Sequence, residues 1–358
     1  MNLTLHLTER CNLDCSYCVN DKNNSIMSEK VLYAACDLAF SRGSSAGICF
    51  FGGEPLLEKE LIYKAMDYCA EKSKVTGKKI RYKMTTNGTL LDEQFIERAA
   101  KEGLEIGLSF DGLGQDLCRR YICGSGTFSV LEEKAKMLLK KLPMSYAMLT
   151  LAPQAVEKFA KSVEYLHDLG FRRVTATIAY GKRVSWTEER MSALKEEFCK
   201  IADFYSGLFI KGERFFFSPF DSKIRECITG FNPSERCHLG LKQMPVSTDG
   251  KLYACTQFMG DEEYCFGDVF SGVSEKAVTR VAQKSSVPEE CKDCALLKRC
   301  TNSCGCMNRL ETGNERHVSP VQCTYERMLI EICDNMAEEL FEKYPEKFKK
   351  RFLENKEK

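Results

Sequence analysis

The sequence predicts an α/β fold built on a parallel sheet, followed by a small, loop-rich, cysteine-dense segment. Three observations lead there. Short apolar runs alternate with longer amphipathic stretches from residue 1 to about residue 210. Glycine-rich or small polar tetrapeptides follow several of the apolar runs, where a parallel sheet would present its carboxyl edge. Beyond residue 210 the alternation stops, and cysteines at short intervals take over. Six successive βα units imply right-handed crossovers, and six is fewer than the eight that close a barrel.

In order, the strand candidates are Leu3–Leu7, Ala46–Phe51, Ile80–Thr85, Glu105–Phe110, Ser145–Leu151 and Arg172–Ile178. The helix candidates are Ser28–Arg42, Lys59–Thr76, Asp92–Lys101, Ser129–Lys140, Pro153–Asp168 and Thr187–Phe209. Leu61, Ala65, Tyr68 and Cys69 recur at helical spacing and should share one apolar stripe. Ser28 and Asp92 sit where a side-chain oxygen can cap the first turn. Phe215–Phe220 reads as a connector whose aromatics pack, and Thr248-Asp249-Gly250-Lys251 as a hairpin turn between two strands. After Thr324, Met328, Ile332, Met336 and Leu340 mark an amphipathic helix, and a solvated Lys/Glu-rich tail is expected behind it. The expected division is residues 1–215 for the βα region, 216–325 for the cysteine-rich domain, and 326–358 for the last helix and tail.

The net charge of +1 gives no support for nucleic acid or an anionic membrane as partner. No apolar run of about 18 residues suggests a membrane span, and no basic-then-apolar export signal precedes the first strand. A cytoplasmic protein is expected. Twenty cysteines in such a chain then favour metal or cluster ligation over disulfides. Cys36, Cys49, Cys69, Cys199 and Cys333 fall in predicted helices or strands and are expected as small core hydrophobes.

Directly after the first strand comes Thr8-Glu9-Arg10-Cys11-Asn12-Leu13-Asp14-Cys15-Ser16-Tyr17-Cys18. Three thiolates on one short loop can hold three irons of a [4Fe–4S] cube. Such clusters normally take four cysteines, so the fourth iron is open to another ligand. Cys11-x3-Cys15-x2-Cys18, with Tyr17 before the last cysteine, resembles the signature of the radical S-adenosylmethionine enzymes. The resemblance implies a partial (β/α)6 TIM barrel, with S-adenosylmethionine chelated to the open iron through its amino and carboxylate groups. Reductive cleavage then yields a 5′-deoxyadenosyl radical that abstracts hydrogen from a substrate. The cofactor carries that chemistry; the protein binds, orients and shields it.

The loops after the next strands extend the resemblance. Gly52-Gly53-Glu54-Pro55 is similar to the family motif that binds the cosubstrate's amino group, and glycines allow a close backbone approach. Asn87, in Thr85-Thr86-Asn87-Gly88, and Ser109 and Asp111, in Ser109-Phe110-Asp111-Gly112, are implied contacts to ribose or substrate. Asn-Gly and Asp-Gly are also turn-formers. In Gln115-Asp116-Leu117-Cys118-Arg119-Arg120, Arg119 matches the arginine that meets the cosubstrate carboxylate, with Arg120 as fallback; a guanidinium fork suits a carboxylate. Gly124-Ser125-Gly126-Thr127-Phe128 matches a family stretch that opens the next helix.

The second cysteine array runs Cys237-x12-Gly250-x4-Cys255, then Cys291-x2-Cys294-x5-Cys300-x3-Cys304, then Cys323. Tetrahedral zinc is the competing chemistry for such pairs. The array resembles the SPASM domain, which carries two auxiliary [4Fe–4S] clusters. The resemblance gives Cys237, Cys255 and Cys304 to auxiliary cluster I, and Cys291, Cys294, Cys300 and Cys323 to auxiliary cluster II. Cys227 is placed to complete cluster I, while Cys265 and Cys306 fit no position of the pattern.

The two resemblances together imply three [4Fe–4S] clusters, S-adenosylmethionine, and modification of a residue in a ribosomally made peptide by cross-linking, thioether formation, epimerisation or excision. The expected partners are the peptide or protein substrate, an electron donor such as flavodoxin or ferredoxin, and a separate leader-peptide-binding protein. One alternative is sulfatase maturation by formylglycine formation. Those members carry an aspartate after the cysteine of the Gly-x4-Cys unit, and here Thr256 follows Cys255. Another is an electron carrier, against which the Gly52–Pro55 motif and Arg119 speak.

Overall fold

A computed structural model describes residues 1–20, 22–230, 239–240, 243–283, 287–300 and 304–354. The six predicted strands form the parallel heart of one sheet. β1 (Asn2–His6), β3 (Ser45–Phe51), β4 (Lys79–Thr86), β5 (Leu104–Ser109), β7 (Tyr146–Leu151) and β8 (Arg173–Ile178) pair in that order, each parallel to the next. Two short strands, β2 (Leu13–Cys15) and β6 (Arg119–Tyr121), form a separate antiparallel pair.

Strand periodicity divides the sheet into two faces. Ala46, Ile48 and Phe50, Ile106 and Leu108, and Ala147, Leu149 and Leu151 are buried on one face. On the other face Glu105 pairs with Lys83 at 3.3 Å and with Arg173 at 2.7 Å. The crossover helices are α1 (Glu29–Ser41), α2 (Lys59–Thr76), α3 (Glu93–Glu102), α5 (Phe128–Lys141), α6 (Phe159–Leu169) and α7 (Glu188–Lys211), with α4 (Gln115–Cys118) a single turn. Ser28 and Asp92 cap α1 and α3 as expected, accepting from Val31 and Phe95 amides. Leu61, Ala65 and Cys69 are buried, while Tyr68 turns its hydroxyl outward to Asp37 at 2.7 Å.

Past residue 210 the chain departs from expectation. Phe215–Phe220 is not a connector. β9 (Phe216–Phe217) adds a seventh parallel strand beside β8, and α8 (Ser218–Thr229) follows at once. Pro219, without an amide hydrogen, suits the first turn of that helix, and Asp221 takes the Phe217 amide at 2.8 Å. The aromatics do pack: Phe215, Phe217 and Phe220 are buried.

The other edge of the sheet is extended by the cysteine-rich segment. β10 (Met244–Val246) pairs parallel with β1, and β11 (Lys251–Tyr253), β12 (Cys265–Asp268) and β13 (Gly272–Val273) continue antiparallel. The predicted hairpin turn lies between β10 and β11, closed by the Gly250 amide on Ser247 O at 2.9 Å. β9 and β13 are the two ends of the sheet, so it remains open.

α11 (Pro320–Lys343) buries Met328, Ile332, Met336 and Leu340 as expected, packing on α7 and α8. The residues behind it are not a free tail: α12 (Pro345–Phe348) buries Phe348, Phe352 stacks on Phe209, and Arg351 donates to Tyr205 Oη at 2.7 Å. Two cysteine expectations are corrected. Cys49 is half-buried because it points to the face opposite Ile48 and Phe50, and Cys199 is exposed on α7; Cys36, Cys69 and Cys333 are in the core. Among the described residues no helix is long and apolar enough to cross a membrane.

A buried cation ties this half together. Lys223 Nζ on α8 meets Glu326 at 2.8 Å, Glu226 at 3.1 Å and the Arg299 carbonyl at 2.7 Å. Lys223→Met should therefore destabilise the protein by about 3–5 kcal/mol, because Glu326 is left charged in a buried site. Denaturant unfolding of both proteins under the same anaerobic conditions measures this, and a loss under about 1 kcal/mol, the level of an exposed pair, would refute it.

Candidate active site

Cys11, Cys15 and Cys18 lie on the loop leaving β1, at the carboxyl edge of the sheet. All three are half-buried and are mutual electrostatic neighbours. Burial pushes the Cys15 thiol up to about 11 and raises Cys11 as well. Thiols this desolvated bind iron only by releasing protons. The loop is held by backbone: Ser16 N donates to Cys118 O at 2.9 Å, and the β2–β6 pair sets Cys15 opposite Arg119. Three soft donors on one loop are a donor set suited to three irons of a cube, with the fourth iron open to another ligand.

The Gly52–Pro55 loop crosses this cluster loop at contact distance. Gly53 N donates to Thr8 O and Glu54 N to Arg10 O, both at 2.8 Å. A Cβ at Gly53 would overlap the Arg10 carbonyl oxygen, so the glycine is needed for the approach of one loop to the other. Glu54 is fully buried. Its carboxyl accepts from Leu56 N at 2.9 Å, Thr86 Oγ1 at 2.6 Å and Asn87 N at 2.7 Å. The side chain thus locks the loop after β3 to the loop after β4. Burial raises its pKa to about 7 despite those three donors. Asn87 continues the network to the cluster loop, with Nδ2 2.8 Å from Asn12 Oδ1 and 3.9 Å from Cys11 Sγ.

Arg119 and Asp111 form a buried pair, Nε to Oδ2 at 2.9 Å. Asp111 also accepts from Tyr17 Oη at 2.6 Å and Thr150 N at 2.8 Å, and the Arg119 guanidinium lies 5.2 Å from the Tyr17 ring centre. The arginine is thereby aimed at the cysteine loop beside Cys15. Arg120 points away, bound to Asp116 O and Gly124 O on the surface. Ser109, at the end of β5, is buried two residues before Asp111. Asp116 caps α5 through the Thr127 and Phe128 amides, which joins the acidic-arginine stretch to the Gly124–Phe128 stretch before that helix. Tyr17 was legible only as an aromatic; its hydroxyl contact spans 94 residues.

The second array is also assembled in space. Cys291, Cys294, Cys300 and Cys323 line one cavity with Val318, and Cys291 is an electrostatic neighbour of the other three. Arg327, one turn after Cys323, donates to Cys323 Sγ at 3.4 Å and approaches Cys294 Sγ at 3.9 Å. Its helical spacing from Cys323 was a usable signal that spacing rules for cysteines overlook. Hydrogen bonds to ligand sulfur stabilise the reduced, more negative cluster. Were these four cysteines to hold a cluster, Arg327→Met should lower its potential, on the order of tens of millivolts within the wide span such clusters cover. Anaerobic redox titration followed by electron paramagnetic resonance measures it; an unchanged midpoint would refute it.

Cys255 follows β11, and Cys304 caps α10 (Gly305–Thr312). Cys237 lies outside the described residues. Cys227 is exposed near the end of α8, where Arg299 feels its charge. Tyr180, just past β8, stands beside Cys255 and Cys304, and Gly181 N donates to Glu311 of α10 at 2.6 Å. Gly181 in turn faces Val19, the residue after Cys18: a Cβ at Gly181 would lie 3.6 Å from Val19 Cγ1. One short stretch therefore lies between the end of the first cysteine loop and α10.

A family model for the radical SAM superfamily matches residues 5–194, more than half of the chain. The chain belongs to the radical SAM superfamily, whose members use a [4Fe–4S] cluster and S-adenosylmethionine. It is similar to a cysteine-type anaerobic sulfatase-maturating enzyme of Clostridium perfringens, 25% identical over 321 residues, covering 82% of this chain and 85% of that one. An uncharacterised protein of Methanocaldococcus jannaschii is 32% identical over 209 residues, 56% of this chain and 69% of the relative. Among solved structures, native anSMEcpe with bound AdoMet superposes with a TM-score of 0.80 at 22% identity, covering 94% of this chain and 99% of that one. Streptococcus suis SuiB bound to precursor peptide SuiA gives 0.64 at 16%, covering 90% and 75%. The fold is thus that of a SPASM-type radical SAM oxidoreductase, with the open parallel sheet in place of a closed barrel.

Proposed function

We propose that the protein modifies a residue of a ribosomally made peptide by radical hydrogen abstraction, and that its carboxyl-terminal cysteines hold two auxiliary [4Fe–4S] clusters. The observation that carries this is the Tyr180–Gly181 stretch, which joins α10 of the second cysteine region through the Gly181 N–Glu311 hydrogen bond and lies beside Val19 at the end of the first cysteine loop. Bound at Cys11, Cys15 and Cys18, the cluster and S-adenosylmethionine supply the 5′-deoxyadenosyl radical. The chain's own residues do the rest. Arg119, held by Asp111, faces the cosubstrate carboxylate. The backbone of Gly52, Gly53 and Glu54 faces its amino group. Asn87 and Ser109 orient ribose and peptide. Cys237, Cys255 and Cys304 would hold auxiliary cluster I, and Cys291, Cys294, Cys300 and Cys323 cluster II. The relatives' peptide complexes, SuiB with SuiA and anSMEcpe with Cp18Cys peptide, favour a peptide substrate over a small molecule.

Formylglycine formation is the second reading, favoured by the sulfatase-maturating relatives. Against it, the residue after Cys255 is Thr256, whose hydroxyl hydrogen-bonds the Cys255 thiol. Anaerobic reconstitution with iron and sulfide, then dithionite and S-adenosylmethionine, tests both. About twelve irons per chain, 5′-deoxyadenosine, and a mass loss of two hydrogens or a cross-link in a peptide encoded nearby are expected. Conversion of a sulfatase-motif Cys peptide to the aldehyde would favour the second reading. A full iron complement with no deoxyadenosine would overturn both in favour of an electron carrier.

A further inference from the structure

The geometry points to Cys306, and not Cys227, as a thiolate that joins Cys255 and Cys304 in holding auxiliary cluster I; this rests on the auxiliary-cluster reading above. Cys306 fits no position of the cysteine pattern, yet it is buried against two residues that do. Its Sγ lies 3.4 Å from Cys304 Sγ, and its thiol hydrogen-bonds Cys255. Residues two apart on a helix do not normally face each other. Here they do, because Cys304 is the cap of α10, with φ −72° and ψ 84°, and folds back over the first turn where Cys306 lies. Asn308 N to Cys304 O, at 3.0 Å, closes that turn.

The convergence involves three separate pieces of chain. Cys255 comes from the hairpin attached to β1, and Cys304 and Cys306 from the start of α10. Tyr180, from beyond β8, is an electrostatic neighbour of all three thiols. Buried free cysteines often act as small hydrophobes. That account fits Cys36 and Cys69 in the helices over the sheet, but it does not explain a thiol placed between two cysteines of a ligand pattern. Cys227, by contrast, is exposed on α8, beside Arg299, which immediately precedes Cys300 of the other array.

The test compares Cys306→Ala, Cys306→Asp and Cys227→Ser with wild type, as full-length protein reconstituted under anaerobic conditions. The readouts are iron content and electron paramagnetic resonance of the reduced clusters. Cys227→Ser should keep the wild-type iron and spectrum. Cys306→Ala should fall from about twelve irons to about eight and lose one auxiliary signal, while the S-adenosylmethionine-sensitive signal of the first cluster reports an intact barrel. Cys306→Asp, with an oxygen donor in place of sulfur, should regain iron with a shifted spectrum. Wild-type iron and spectrum in Cys306→Ala, or loss of an auxiliary cluster in Cys227→Ser, would overturn the assignment. Only about four irons in the wild-type protein would overturn the auxiliary-cluster reading itself, and this assignment with it.

Discussion

Arg119→Ala should weaken S-adenosylmethionine binding by roughly tenfold to a hundredfold, the worth of a charge-assisted hydrogen bond of about 1.5–3 kcal/mol. Arg120→Ala should leave it unchanged. The two arginines are adjacent in sequence but opposite in environment. Arg119 is buried on Asp111, across the β2–β6 pair from Cys15. Arg120 is on the surface, bound to backbone carbonyls. The alanine variant also leaves Asp111, almost fully buried, without its counter-charge, and Tyr17 Oη and Thr150 N can compensate only in part. Breaking such a pair costs about 3–5 kcal/mol of stability. Arg119→Lys should recover charge but not the planar fork, and so should fall between. Titration calorimetry on the reconstituted proteins measures the affinities. An Arg120→Ala loss as large as that of Arg119→Ala would refute the assignment.

Lowering the pH from 8 to 6 should weaken S-adenosylmethionine binding toward tenfold per unit below about 7, because a cation bound at the backbone of the Gly52–Pro55 loop favours the ionised form of the buried Glu54 carboxyl behind it. Burial holds that carboxyl protonated up to about pH 7, whereas the unfolded chain would release the proton near the ordinary value of 4.5. Between those values the folded state binds more protons than the unfolded one, so stability falls as pH rises through the window. The loss totals about 3 kcal/mol and is complete above about pH 7. An ammonium group bound at the loop would offset it. Binding at about pH 6.5, inside that window, should then release a proton, read as a dependence of the calorimetric heat on the buffer's ionisation enthalpy. Glu54→Gln should abolish that dependence and flatten the pH profile of stability relative to wild type, the acid lability of the clusters being common to both. Equal heats in two buffers for the wild type would refute the coupling.

The elements of the βα region were legible because each carries its own local signal. The apolar period names the strands and helices, and Ser28 and Asp92 mark helix starts, since a cap depends on only a few neighbouring residues. The cysteine spacings were legible for the same reason: Cys11, Cys15 and Cys18 share one loop, and Cys291, Cys294 and Cys300 share another. Where the chain was misjudged, the deciding contacts are distant in sequence. Phe216–Phe217 is too short to signal a strand and becomes one only because β8 offers an unpaired edge. The tail behind α11 was polar by composition, but Arg351 finds Tyr205, 146 residues away, and Phe352 finds Phe209.

The site divides along the same line. Sequence alone determined which residue types stand at the carboxyl edge of the sheet: three cysteines, a Gly-Gly-Glu-Pro loop, and an arginine behind an acidic residue. Only the tertiary structure decided their surroundings. It turned Glu54 inward as a brace between two loops, buried Arg119 while leaving Arg120 on the surface, and gave Asp111 to Arg119 and Tyr17. It also set Arg327 on two cysteine thiols and Cys306 between Cys255 and Cys304. The physical reason is that spacing along a chain fixes neighbours only within one loop or one helical turn. Burial, charge pairing and sulfur–sulfur approach are set by which strands share an edge, and here β1 carries the first cysteine loop at its end and receives the cysteine-rich hairpin along its side.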